Sequence, residues 1–297
     1  MVKRHARDYT RPVRAIGTLS CEVFLLSDYI ILCLAALVAG AVNAIAGGGT
    51  LLTFPALFAA LGSSGTAAVV ANATSTVALV PGAVAALAGY RSEIRQERHL
   101  VGLLLVPSLI GGLVGSLLLV LLPGESFKAA VPWLILTAAL LFALQPRIAR
   151  WTGMTLLSPR GRGAGGEGET SSVAHAPGLL AAVIAFQFGV AVYGGYFGAG
   201  IGILMLAALA MMGMHDIHRM NAVKVLLNLV INGTSVVVFV ASGKVYWPYA
   251  LAMAISSSIG GYAAAHTARR TNKTVVRMAI VTIGFALAAY YFYREFS

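Results

Sequence analysis

The charged residues of this chain stand in islands separated by long uncharged runs. No Asp, Glu, Lys or Arg occurs between Asp28 and Arg91, between Arg98 and Glu125, between Glu169 and Asp216, or between Lys244 and Arg269. A helix needs roughly 20 apolar residues to cross about 30 Å of hydrocarbon, and these runs supply that length repeatedly. Inside lipid every backbone N–H and C=O must be paired within the protein, which leaves helices or closed barrels. The runs are continuous rather than alternating, so they read as helices and not as porin-like strands. With 59% hydrophobic and 10% charged residues, the chain lacks the charged quarter typical of a soluble domain. The expected fold class is an all-α polytopic protein of the plasma (inner) membrane. It would have about eight transmembrane helices plus two glycine-broken short or re-entrant segments, built from two internal repeats.

The net charge of +11 does not point to nucleic acid. The basic residues sit in tails and short loops, where the positive-inside rule and anionic lipid account for them. Cys21 and Cys33 make neither a disulfide framework nor a metal spacing. Residues 1–27 read as a basic tail leading into an uncleaved first span, because the apolar run continues through Ile31–Ala46.

The spans predicted from hydropathy are 28–46, 50–61, 66–90, 100–122, 128–145, 178–197, 199–213, 219–242, 245–267 and 274–293. At 1.5 Å rise per residue, 50–61 and 199–213 are too short to cross comfortably. A loop at 146–177 divides the chain into a first repeat, 28–145, and a second, 178–297. The loop has the composition of a flexible linker. Its Gly161, Gly163 and Gly166 formally satisfy G-x-G-x-x-G, but no strand precedes them, so no dinucleotide site is read there.

The two halves follow one plan. The first has a span, then Gly47-Gly48-Gly49, a short apolar segment, and a helix opening at Ala71-Asn72-Ala73-Thr74. The second has a span, then Gly198-Ala199-Gly200-Ile201-Gly202, a short apolar segment, and a helix opening at Met220-Asn221-Ala222-Val223. Matched glycine-broken segments in two repeats point to a transporter's binding site. Glycines elsewhere, such as Gly111/Gly115 and Gly260/Gly261, read as places of close helix packing. Arg91, Arg95, Arg98, Arg147, Arg150, Arg160 and Arg162 mark cytoplasmic loops. If the N-terminal tail is also inside, the basic loop at Arg269, Arg270 and Lys273 falls outside, so a parallel or inverted relation of the repeats stays open.

One charge, Lys224, lies within an apolar span. With Asn221, Asn228 and Asn232 it forms a single helical stripe at three- and four-residue spacing. A mid-membrane lysine costs about 2.5–3.5 kcal/mol on insertion scales and usually faces a cavity or pathway. The competing reading is a stem that snorkels to the interface, although such a lysine would not require a polar stripe below it. The first half offers Asn43, Gly48, Gly49, Thr50 and Thr53 around its glycines, and Asn72, Thr74, Ser75 and Thr76 at the matching helix opening. Their hydroxyls and amides could equally bond between helices. Gly198 and Gly200 open the second short segment. Half-helix N-termini present N–H groups and a positive dipole end, and together with one lysine they make a coherent site for a small oxyanion. His99, His175, His215, His218 and His266 sit in loops or near span ends and are assigned no metal. No buried nucleophile–base or carboxylate pair suggests catalysis, and no cofactor is expected.

These residues resemble the TauE/SafE sulfite-exporter family. The resemblance rests on Asn43-Ala-Ile-Ala-Gly47-Gly48-Gly49-Thr50 with Pro55, on Ala71-Asn72-Ala73-Thr74, Pro81-Gly82 and Gly89-Tyr90, and more loosely on Gly198-Ala-Gly200-Ile-Gly202 with Asn221-Ala222-Val223-Lys224. It runs from about residue 30 to residue 292. The second short segment departs from the first in having no counterpart to Pro55. The resemblance implies a permease exporting sulfite or a small organosulfonate. No motif separates sulfite from sulfoacetate, sulfolactate or a carboxylate. Exporting an anion from a negative-inside cell is downhill by about 2.3 kcal/mol per charge per 100 mV, so a uniporter would suffice. A non-transporting membrane subunit and an anion channel are the competing readings. Oligomeric state is not legible.

Overall fold

The computed structural model describes residues 18–45, 47–151, 177–212, 214, 216–267 and 273–296. The Gly-rich centre of the 146–177 loop, most of the basic tail, and His175 and His215 lie outside the described residues. Every regular element described is helical. In order they are α1 (Thr18–Ile45), α2 (Thr50–Leu61), α3 (Gly65–Leu87), a short 3₁₀ turn, α4 (Arg91–Gln96), α5 (Arg98–Leu121), α6 (Gly124–Trp151), α7 (Pro177–Tyr196), α8 (Ile201–Met211), α9 (Ile217–Ala241), α10 (Trp247–Thr267) and α11 (Lys273–Phe296).

Each of the ten predicted spans falls on a helix, but α1 already starts at Thr18, within the expected tail, and α6 runs on to Trp151, into the expected loop. The surface helix α4 is the addition: six residues, too short and too polar to register as a span. Among the described residues, five stretches are long and apolar enough to cross a membrane: Leu26–Ala44, Gly65–Leu87, Arg98–Leu121, Gly124–Arg147 and His218–Ala241. Thr50–Leu61 and Ile201–Met211 are shorter apolar helices, as their length required. Pro55 sits inside α2, and α8 is helical without one.

Glycine decides how closely the long helices approach. Between α1 and α10, a Cβ on Gly40 would strike the Ser257 carbonyl, and one on Gly260 the Leu37 carbonyl. Between α5 and α7, a Cβ on Gly115 would strike the Val192 carbonyl, and one on Gly111 would lie 2.6 Å from the Ala191 Cβ. A Cβ on Gly261 would lie 2.5 Å from the Gly82 carbonyl, where α10 meets α3. Lipid offers no hydrophobic drive between helices, so backbone contact of this kind, with its dense van der Waals packing, holds them together. The Ser257 hydroxyl adds a bond to the Ala78 carbonyl.

Two ends of the bundle follow from the contacts. At one, Glu125 of α6 accepts a hydrogen bond from the Gly65 N–H of α3 at 2.8 Å, Tyr29 of α1 meets Tyr249 of α10, and Trp133 of α6 meets Phe292 of α11. At the other, Arg219 of α9 reaches Glu97 beside α4 at 3.2 Å. Helices α3, α5, α6, α9, α10 and α11 run between these ends. Helix α1 starts at the α2–α3 end, and α2 turns back toward it; α7 starts from the α4 end, and α8 turns back toward that.

Candidate functional site

The two turn-backs meet in the interior. The chain breaks at Gly47 with φ 75° and at Gly198 and Gly200 with φ 81° and 79°, left-handed values that a side chain rarely adopts. A Cβ on Gly47 would lie 2.8 Å from the Gly202 Cα, so the first break touches the first turn of α8 backbone to backbone. A Cβ on Gly49 would lie 2.5 Å from the Ala39 carbonyl oxygen, and one on Gly48 would strike the Phe142 ring. Beside Gly198 stand Thr50 Oγ1 and Asn232 Oδ1, at 3.6 and 3.9 Å from where its Cβ would be.

The N-termini of α2 and α8 differ from those of α3 and α9, the long helices that follow them. Ser64 accepts from the Ala67 N–H and caps α3, and Asp216 accepts from His218 and Arg219 N–H groups and caps α9. Neither Gly49 before α2 nor Gly200 before α8 supplies a side-chain cap. Two positive dipole ends are thus brought together, away from water, without capping side chains.

Lys224 is fully buried. Its Nζ donates to Asn221 Oδ1 at 3.1 Å, one turn back along α9. The same stripe continues inward: Asn232 Nδ2 donates to Asn228 Oδ1 at 2.6 Å, and Asn228 Nδ2 donates to Asn43 Oδ1 of α1 at 3.3 Å. This chain of amides links the helix before the first break to the helix after the second. On the other side of the breaks, Thr53 of α2 and Ser75 of α3 share a hydrogen bond, and Asn72 Nδ2 donates to the Tyr196 carbonyl at the end of α7, at 3.0 Å. All of Thr53, Asn72, Ser75 and Lys224 are buried.

The sequence pattern described as sulfite exporter TauE/SafE matches residues 32–291. The chain belongs to the TauE/SafE family. Its relatives include a probable membrane transporter protein of Haemophilus influenzae, 26% identical over 87% of this chain and 92% of the relative. A probable membrane transporter protein of Sinorhizobium, ORF9, is 26% identical over 86% and 88%, and Escherichia coli YfcA, also named a probable membrane transporter protein, is 24% identical over 90% and 91%. No solved structure matches the chain. This TauE/SafE protein is a multi-pass membrane protein of a transporter family, not an enzyme. The family implies a small anionic substrate.

The TauE/SafE candidates read from sequence fall into four groups around the breaks. Asn221 joins Lys224, Asn43 joins Asn228, and Thr50 flanks Gly198; Ser75 and Asn72 lie one turn apart on α3. Gly48, Gly49 and Gly200 are filled by Phe142, Ala39 and Ala138 respectively, so they shape the breaks. Thr74 is drawn elsewhere, accepting from the Tyr246 N–H at 2.9 Å. Sequence reasoning did not find the Tyr196 carbonyl, a backbone group with no residue signature. Nor did it find the buried pair Gln187 and Ser108 between α7 and α5 at 2.9 Å. Among the described residues, no group of three His, Cys, Asp or Glu could hold a metal ion.

Proposed function

We infer that this protein is a secondary permease for a small anion, sulfite or a small organosulfonate, moved outward by alternating access. The observation that carries the reading is the meeting of two side-chain-uncapped helix N-termini at Gly47 and Gly202, with the buried Lys224 on the helix that follows. Helix N-termini and a lysine supply directed N–H donors and positive charge to an oxyanion. Asn43, Thr50, Asn221 and Asn228 add polar lining.

The packing supports an inverted repeat. Helix α1 pairs with α10 as α7 pairs with α5, α3 with α10 as α9 with α5, and α3 meets α9 across the centre. One exchange of halves maps this pattern onto itself, while α1 and α7 enter from opposite ends. In this reading eight long helices and two half-helices make two five-helix units around the breaks. Such architecture suits rocking of one unit against the other. It also gathers the basic positions Arg95, Arg98 and Arg147 at one end with the end of α10, which makes the α4 end cytoplasmic. The basic positions Arg269, Arg270 and Lys273 after α10 then agree with the rule, and α1 begins on the outside, so that the charge of the basic N-terminal tail runs against it.

Flux into proteoliposomes tests the reading, with sulfite and a short organosulfonate as solutes and Lys224→Ala as comparison. Transport by the wild type that collapses in a folded Lys224→Ala is the expected result. Transport unchanged by the substitution would remove Lys224 from the site, and absence of flux for either anion would overturn the anion reading.

A further inference from the structure

Asn72 is 1% exposed, and half of its amide is unmet. Nδ2 donates to the Tyr196 carbonyl at 3.0 Å, which fixes the amide's orientation, because the flipped form would set oxygen against oxygen. Oδ1 then has no hydrogen-bond partner among the described residues. A buried acceptor left in that state is costly and calls for an explanation. Gln187 Oε1 and Tyr193 Oη share the condition, but both belong to α7, and Gln187 is turned to Ser108 of α5. Asn72 alone of the three spans the two broken segments. Its partner Tyr196 ends the helix before the second break, and Ser75, one turn on, bonds Thr53 just after the first.

Of the groups credited to the site, the N-termini of α2 and α8 and Lys224 donate, and the amide oxygens of Asn221, Asn43 and Asn228 already accept from Lys224, Asn228 and Asn232. A bare anion, all acceptors, satisfies the donors and leaves the buried Asn72 oxygen unmet. An anion bearing one N–H or O–H satisfies both. Resting on the anion-transport reading above, we propose that the transported anion carries its own hydrogen-bond donor, received by Asn72 Oδ1. Hydrogensulfite and hydroxylated sulfonates meet this requirement; the sulfite dianion and plain alkanesulfonates do not. Sites built to pair a substrate hydroxyl discriminate strongly against the analogue lacking it, because the protein group is stranded.

The test compares ethanesulfonate with 2-hydroxyethanesulfonate in proteoliposomes of the full chain, in wild type and Asn72→Leu. The wild type should carry the hydroxylated solute about tenfold faster or more. In Asn72→Leu the ratio of the two fluxes should fall toward one, whatever the absolute rates, since the substitution also removes the bond to the Tyr196 carbonyl. Equal rates for both sulfonates in the wild type would overturn the proposal and leave the anion permease standing. A hydroxyl preference that survives in Asn72→Leu would overturn the role of Asn72. If neither sulfonate nor sulfite moves, the proposal falls together with the transport reading beneath it. A second arm needs no variant: wild-type sulfite flux measured at constant total sulfite should drop as pH rises through the titration of hydrogensulfite, with 2-hydroxyethanesulfonate flux level. Sulfite flux that rises with the dianion would overturn the proposal.

Discussion

At the scale of single residues, the amides and glycines around the breaks answer to different measurements. Asn43 and Asn228 tie α1 to α9. A double-mutant cycle with Asn43→Leu and Asn228→Leu, read by thermal unfolding in detergent, should show a coupling of about 0.6 kcal/mol and under about 2. Gly47 is a backbone requirement twice over, by its positive φ and by the Gly202 Cα, which a Cβ on Gly47 would approach to 2.8 Å. Gly47→Ala should lower the yield of monodisperse protein sharply, whereas Gly102→Ala, which meets nothing, should be recovered at wild-type yield; size-exclusion profiles decide. Lys224 was legible in the sequence because one charge in a long uncharged run has few innocent explanations. The Thr53–Ser75 pair was not, because hydroxyls are common in membrane helices and most bond their own backbone, as Thr76, Ser116 and Ser235 do here.

At the scale of elements, the side-chain caps of α3 and α9 can be tested apart from the uncapped starts of α2 and α8. Ser64→Ala should cost about 1 kcal/mol of stability through the loss of the α3 cap and leave the substrate's apparent affinity unchanged. The half-helices α2 and α8 should instead be stabilised by the anion itself. Sulfite at a hundred times its dissociation constant should stabilise the protein by about 2.7 kcal/mol, seen as a rise in melting temperature that is lost in Lys224→Ala. Helix α2 was legible to the residue, since its glycine start and its Gly62 stop bracket an unbroken apolar run. Helix α4 was not: six residues carry too little periodicity. Its importance is positional, since the neighbouring Glu97 receives Arg219 from the base of α9.

At the scale of the whole molecule, the proposed sidedness is open to direct test. In a cysteine-free background, Ser63→Cys and Ser126→Cys should react with a membrane-impermeant thiol reagent added outside whole cells, and Gln96→Cys only after the membrane is opened. The reverse pattern would invert the assignment. Among the described residues five apolar helices are long and apolar enough to cross a membrane. The positions of the apolar helices were readable from the sequence, because desolvation acts on each residue alone. The relation between the halves was not, because it depends on which end of each broken segment turns back, and charge counting gave conflicting answers for the tail and for the loop after α10.

The close packing of α1 on α10 has a consequence for how the protein is made. Gly40 and Gly82 both lie against the backbone of Ser257, a residue synthesised long after either of them. Until α10 emerges, the first half waits in the bilayer with its small-residue faces bare and its partner helices missing, a substrate for proteases that survey unassembled membrane segments. The nascent chain must therefore be held by something other than its own fold, an insertase or chaperone at the exit from the translocon. By the same logic, two fragments divided within residues 152–176 and co-expressed should find each other, while each alone should be degraded.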